Sequence, residues 1–314
     1  MPSWERRRSA GGREAALDPA GGSCSGGVQV PKRVSEWKRF ATVFFGRKVV
    51  LLALVALLVF FVMAIFAPLL APYDPYEQTL SEIMQPPSVH HLLGTDTVGR
   101  DTLSRIIYGS RNSLIVAVTA IGLASLVGMT MGLFAGYYGG AANAVLMRLV
   151  DALMVIPMIL LALAISSALG AGLRNVVIAI GIAEIPPFAR LMCGQVIAEK
   201  NKPYVMCSRA IGSTPRRIMR KHILPNCFPP LIVLMTQWVG MAVLAEAGLS
   251  FLGVGLLPPA ASWGGMVSEG YQYLLTNPIL SVAPGCFIIL LVFALNIVGD
   301  GLRDALDPAL RGVL

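Results

Sequence analysis

Six apolar stretches, five of them free of charged residues, alternate with polar segments along this 314-residue chain. Val49–Tyr73 is the first, and Asn112–Met147 holds a second followed by a turn at Gly136-Tyr137-Tyr138-Gly139-Gly140. Ala152–Leu173 comes next, then Asn175–Val196, which Glu184 and Arg190 interrupt; Ile223–Ala245 and Gly270–Gly299 complete the set. Each approaches or exceeds the roughly 20 residues that a helix needs to cross a bilayer. In hydrocarbon every backbone N–H and C=O must be satisfied within the segment, and a helix does this unaided. The pattern therefore predicts an all-α polytopic membrane protein with six transmembrane helices.

Composition agrees with the pattern. Hydrophobic residues make up 55% of the chain and charged residues 13%, against about 25% charged in ordinary soluble domains. The distribution of Lys and Arg orients the bundle. Residues 1–48 carry ten basic and four acidic side chains, whereas Pro72–Arg111 carries three basic and five acidic ones. The segment Leu256–Thr276 has Glu269 and no basic residue. Both termini are thus expected in the cytoplasm. The net charge of +8 is a topology signal, and no nucleic-acid partner is expected, since that would need the charges on one folded face. The first span is longer than the 7–15 residues of a signal-peptide core and follows a long tail, so it is expected to be a retained anchor. The five cysteines (Cys24, Cys193, Cys207, Cys227 and Cys286) are scattered with no C-x-x-C, which predicts neither a disulfide framework nor a zinc site.

Three regions follow. Residues 1–48 form a cytoplasmic tail, rich in Gly, Ser, Ala and Arg and expected to be disordered to about residue 35, with an amphipathic lead-in over Ser35–Lys48. Residues 49–111 supply the first span and an extracytoplasmic loop, and residues 112–310 the remaining core. At the end of that loop Arg100–Arg111 can form an interfacial amphipathic helix. His90 and His91 are adjacent, and on a helix their side chains would point about 100° apart; they are read as loop histidines, and no metal site is assigned.

Ionisable groups within spans are costly and so are candidates for function. Arg148 and Asp151, three residues apart, lie on one helix face and are expected to neutralise each other as a structural ion pair. Glu184 lies in mid-span, immediately before Ile185 and the helix-breaking Pro186-Pro187, where freed carbonyls need partners; these three polar or strained positions are the candidates for lining a pathway. Gly128, Gly132 and Gly136 recur every fourth residue, and such a stripe lets helices approach closely.

The most informative polar segment is the loop over residues 203–226, between the fourth and fifth spans. From Tyr204 to Asn226 it carries five Lys/Arg residues, with His222 besides, and no acid. It reads as a short helix to Ile211, a break at Gly212, and a second helix with Thr214 as N-cap and Pro215 in its first turn, stopping at Leu224-Pro225. Its residues Tyr204, Arg209, Gly212, Arg216, Arg217, His222, Leu224 and Pro225 resemble the coupling loop of ABC importer permeases. Three further blocks resemble the peptide/nickel branch of that family: LLGTDTVGRDTLSRIIYGSRNSL (Leu92–Leu114), EAGLSFLGVGLLPPAASWGGMVSEG (Glu246–Gly270) and ALNIVGDGLRDALDP (Ala294–Pro308). Asp300, Arg303, Asp304 and Asp307 in the last block give a polar end on the cytoplasmic side. One departure stands out: where many relatives have Glu-Ala-Ala, this chain has Met206-Cys207-Ser208.

The resemblance implies a C-type permease subunit of a dipeptide/oligopeptide/nickel importer with a type I transmembrane fold, in the bacterial inner membrane. It implies a sister permease, two ABC ATPase subunits that plug onto the coupling loop, and an extracytoplasmic substrate-binding protein. The chain has no G-x-x-x-x-G-K-[ST] loop, so ATP and Mg belong to the partner ATPases, and neither a catalytic residue nor a bound cofactor is expected here. The cargo implied is di- or oligopeptide, with glutathione or a metal chelate as the alternative. An ion-coupled secondary transporter or channel using Asp151 or Glu184 is the competing class, but it calls for an inverted repeat that the sequence does not display.

Overall fold

A computed structural model of the chain describes residues 36–306. The expectation of disorder over the first 35 positions, and the place of Asp307 in the polar C-terminal end, lie outside the described residues.

The chain begins with α1 (Glu36–Gly46), which falls within the amphipathic lead-in, and continues into α2 (Lys48–Ile65) and the single turn α3 (Ala67–Leu70). Phe44 of α1 is buried with Val50 and Ala305 and stacks on Phe40 at 5.6 Å. The buried residues of α2 are Val50, Ala53, Leu57, Phe60 and Ala64, spaced alternately three and four apart as one helix stripe requires. Leu52, Val55, Leu58 and Val59 cover the other side and are exposed, as side chains facing lipid would be.

Helix α4 (Thr102–Tyr138) runs 37 residues without interruption, or about 55 Å. Asp101 caps it, accepting hydrogen bonds from Ser104 N at 2.8 Å and Ser104 Oγ at 2.7 Å. Arg100–Arg111 is therefore not a separate interfacial helix: from Thr102 onward it forms the first turns of α4, because the cap begins the helix and nothing breaks it before Gly139. The turn then falls at Gly139 and Gly140, with φ of +67° and +49°, a region that glycine enters at little cost.

The third span is not straight. Helices α5 (Gly140–Val155) and α6 (Met158–Leu169) are bent by 89° at Ile156-Pro157, where proline lacks the N–H needed to continue the ladder. Among the described residues, five helical stretches are long and apolar enough to cross a membrane, and six if this bent pair counts as one span. Helices α7 (Leu173–Ala183) and α8 (Ile185–Lys200) together form the next span, with a one-residue break at Glu184. The sharp bend of the bundle thus lies at Pro157 and not at Pro186-Pro187, since both of the latter occupy the first turn of α8, where N–H groups have no intrahelical partner to lose.

Two short helices, α9 (Pro203–Ala210) and α10 (Pro215–Ile218), precede α11 (Leu224–Phe251). The second short helix does not stop at Leu224-Pro225 as the sequence suggests. Met219–Ile223 widens into a π turn in which Leu224 N bonds Met219 O. The helix continues through it, so that Pro215–Phe251 is one helical stretch with Pro225 directly after the widened turn. An outer loop carrying α12 (Trp263–Tyr271) leads to α13 (Ile279–Leu306).

The tightest contact joins α4 to α8. A methyl group added at Gly128 would stand 2.7 Å from Ile185 O and Phe188 Cβ, and one at Gly136 would stand 2.8 Å from Val196 Cβ. Gly132 faces Ala189 O and Met192 Cβ in the same way. The glycine stripe accordingly sets two backbones in van der Waals contact. At the outer end, fully buried Trp263 lies over Gly109 and donates its Nε1–H to Ile106 O at 2.9 Å, which pins the α12 loop to α4.

Candidate functional site

The basic element over residues 203–226 is anchored from below by an acid that the loop itself lacks. Glu199, in the last turn of α8, accepts a hydrogen bond from the Tyr204 hydroxyl and an ion pair from Lys202 Nζ at 2.6 Å. Asn226 Nδ2 donates to Tyr204 Oη at 3.1 Å and to His222 O at 2.6 Å, closing the two ends of the element onto each other. Burial, with the bond to the Glu199 carboxylate, pushes the Tyr204 phenol up to about 12. Val205, Ile218, Met219 and Ile223 are buried beneath it. Among the residues left on the outside are Met206, Ile211, Arg209, Arg216, Arg217, Arg220, Lys221 and Pro225, with Ile211 83% exposed. An apolar side chain that open beside arginines gives a mixed surface suited to a protein partner.

Gly212 joins the halves at φ +82°, and no atom lies within 4 Å of where its side chain would project. Thr214 holds the N-cap position of α10 in extended geometry, but its side chain makes no cap bond. The Arg209 guanidinium, 5.9 Å from the Tyr137 ring centroid, ties the element to the end of α4, and just before the element Lys200 Nζ at the end of α8 donates to Gly136 O at 2.7 Å, joining α8 to α4. Sequence reading misses Glu199, Lys200 and Tyr137, which lie outside the loop. The Glu199–Lys202 spacing of three was the available signal.

The expected Arg148–Asp151 ion pair does not form. Asp151 of α5 pairs instead with Arg190 of α8 at 2.6 Å, and both side chains are about half exposed. Arg148 has no ion pair among the described residues. A helix neighbour three residues away competes poorly here because α8 packs against α5 and brings Arg190 to the carboxylate directly.

Glu184 is only 1% exposed, and its Oε1 has no hydrogen-bond partner among the described residues. Pro186 is buried beside it, and Pro187 is partly so. In this conformation the Glu184 group opens onto no surface of the single chain. A second buried carboxyl is better satisfied: Glu246 of α11 accepts from Ser113 Oγ and Ser250 Oγ, each at 2.8 Å. Near the outer end of the bundle, Arg100 pairs with Asp96 at 2.6 Å and with Glu269 at 3.2 Å. His91 is buried between Asp101 (2.9 Å) and Glu82 (3.3 Å), while His90 is exposed.

This architecture has relatives. Residues 128–312 match the family described as binding-protein-dependent transport system inner membrane component, and residues 35–87 match the N-terminal TM domain of oligopeptide transport permease C. The chain is 42% identical to the di/tripeptide transport system permease protein DppC of Pseudomonas aeruginosa, over 88% of this chain and 93% of that one. It is 38% identical to the glutathione transport system permease protein GsiD of Pectobacterium atrosepticum, over 88% and 92%. It is 37% identical to the oligopeptide transport system permease protein OppC of Bacillus subtilis, over 94% and 97%. The fold is that of a chain in inward-facing structures of the MetNI methionine ABC transporter, with a TM-score of 0.53 and 20% identity over 65% of this chain and 96% of that one. The chain therefore belongs to the inner-membrane components of binding-protein-dependent transport systems, as a multi-pass permease subunit of the peptide-type ABC importers.

Proposed function

We propose that the chain forms half of the translocation pathway of an ATP-driven importer of di- or oligopeptides, paired with a sister permease. Two ABC ATPase subunits below it bind and hydrolyse Mg-ATP, and an extracytoplasmic binding protein delivers the cargo. Both termini lie in the cytoplasm, on the side of the basic segments. The element over residues 203–226 docks on an ATPase, and its movement passes to α4 through Arg209 on Tyr137, and by way of α8 through Lys200 on Gly136. The missing Glu-Ala-Ala does not remove the docking face, since Glu199 supplies the acid that holds the element in shape.

The observation that carries this reading is the closed, acid-anchored element with Ile211 and four exposed arginines (Arg209, Arg216, Arg217 and Arg220). The peptide cargo is supported by the names of the relatives. The test is reconstitution of the complex with its binding protein in vesicles and comparison of a labelled dipeptide, a longer peptide, glutathione and a nickel chelate. Peptide-stimulated ATP hydrolysis with ATP-dependent uptake is the expected result. Stimulation by glutathione or the chelate alone would overturn the peptide cargo, and uptake driven by an ion gradient without ATP would overturn the importer class.

A further inference from the structure

A groove of about 410 Å³ runs between α2 and α4, lined by Phe61, Ala64, Ile65, Leu114, Ile115, Val118 and Thr119, with Arg111 as its one charged side chain. Three arginines mark this end of the molecule. Arg100 is paired with Asp96 and Glu269, and Arg105 lies 3.4 Å from the Asp96 carboxylate. Arg111 is exposed, with no acidic partner among the described residues. A cation at the membrane boundary without a counter-ion in its own chain is open to one from outside.

The helix lengths fix the depth of the groove. Helix α2 has 18 residues, about 27 Å, close to the ~30 Å thickness of the hydrocarbon layer. Its last residue, Ile65, thus lies at the edge of that layer, and Arg111, lining the same groove, stands at the headgroup level. From Arg111 to Thr119 the groove follows α4 for about 12 Å, nearly the ~15 Å depth of one leaflet. The dimensions suit one acyl chain beneath one phosphate.

We propose that this groove is a binding site for an anionic phospholipid, with an acyl chain between α2 and α4 and its phosphate paired with the Arg111 guanidinium. The bidentate fork of arginine matches phosphate oxygens. A zwitterionic lipid is the weaker ligand because its own ammonium already neutralises its phosphate. The occupant would hold α2 against α4, where the side chains that line the groove leave space between the helices.

The test uses the full chain purified in mild detergent, delipidated, then incubated with phosphatidylglycerol or phosphatidylethanolamine and examined by native mass spectrometry. The wild type should retain phosphatidylglycerol preferentially. Arg111→Gln should lower that retention about fivefold, the effect of one basic residue near the membrane surface, and Arg111→Lys should lower it less. Val118→Trp changes an exposed residue and should block the groove while leaving Arg111 in place. Equal retention of both lipids by the wild type, or unchanged phosphatidylglycerol retention in both Arg111→Gln and Val118→Trp, would overturn the proposal. So would a high-yield cross-link from Val118→Cys to the sister permease in native membranes, because a protein would then fill the groove.

Discussion

Ser113 Oγ of α4 donates to Glu246 Oε2 of α11 at 2.8 Å, and the Glu246 side chain has no access to solvent. Ser250 Oγ completes the carboxyl's bonding and also accepts from Leu256 N at 3.1 Å. The chain Ser113–Glu246–Ser250–Leu256 therefore ties α4 and α11 to the start of the outer loop. Glu246→Gln keeps an acceptor at the site and should leave subunit yield close to wild type. Glu246→Leu leaves Ser113 without its partner, at about 1–3 kcal/mol for each buried polar group so stranded, and should lower thermal stability in detergent. Equal melting of both variants and the wild type would show that the link is not structural.

A second prediction concerns the glycine seam. An alanine at Gly132 would set its Cβ 2.8 Å from Met192 Cβ and 2.9 Å from Cys193 N. Relief requires backbone movement, which typically costs about 1–3 kcal/mol. Gly122, on the same helix, has nothing within 4 Å of its added carbon. Gly132→Ala should lower the melting temperature, while Gly122→Ala should hold or raise it through better helix propensity. The reverse order would mean that α4 and α8 are not in backbone contact.

His91 gives the outer loop a pH dependence. The hydrogen bond to Asp101 raises its pKa above the ordinary 6.5, against the opposing effect of burial, and Glu82 adds to the rise. A group whose folded pKa is raised stabilises the fold fully below its unfolded pKa and loses that contribution as pH climbs through the folded value. Hydrogen exchange at Gly94 and Thr95, whose amides bond within this loop, should quicken from pH 6 to pH 8 beyond its intrinsic base dependence. His91→Gln should remove the excess. An excess that persists in this variant would assign it to another group.

The fold was largely legible because all but one of its spans are uncharged runs of bilayer length, and a helix in lipid leaves little choice of structure. The glycine stripe was legible for the same reason: small residues every fourth position have few other uses in a membrane helix. The failures have two causes, one the packing of a distant element and the other where a proline falls within its own helix. Arg148 was the local partner for Asp151, but Arg190 is nearer once α5 and α8 pack. Pro186-Pro187 promised a bend and gave none of note, while Pro157 bends its span by 89°, because a proline in the first turn of a helix removes no bond. Pro225 was read as a stop, and a π turn before it carried the helix through. The candidate docking loop was visible from its charge and its Gly212 break, but Glu199 and Lys200, which hold it to the bundle, lie in the preceding span.

The last prediction tests the docking element at Gly212. Its φ of +82° lies where side chains are disfavoured, yet an added carbon would meet no atom of this chain. Substitution there acts through backbone geometry alone within the subunit, at about 1–2 kcal/mol for an ordinary residue. Asparagine tolerates the left-handed region better than others, and valine, branched at Cβ, tolerates it least. The spans are untouched, and the buried residues Val205 and Ile218 on either side can keep their places. Gly212→Val should therefore accumulate in the membrane and pair with its sister permease, while losing ATPase association or peptide-stimulated hydrolysis, and Gly212→Asn should fall between it and wild type. The open space around Gly212 separates two accounts of any defect. If Gly212→Asn is less impaired than the smaller Gly212→Ala, the backbone turn is what matters; if Gly212→Asn is the more impaired of the two, an ATPase surface fills that space in the complex. Full coupling in every variant would remove the loop over residues 203–226 from the mechanism.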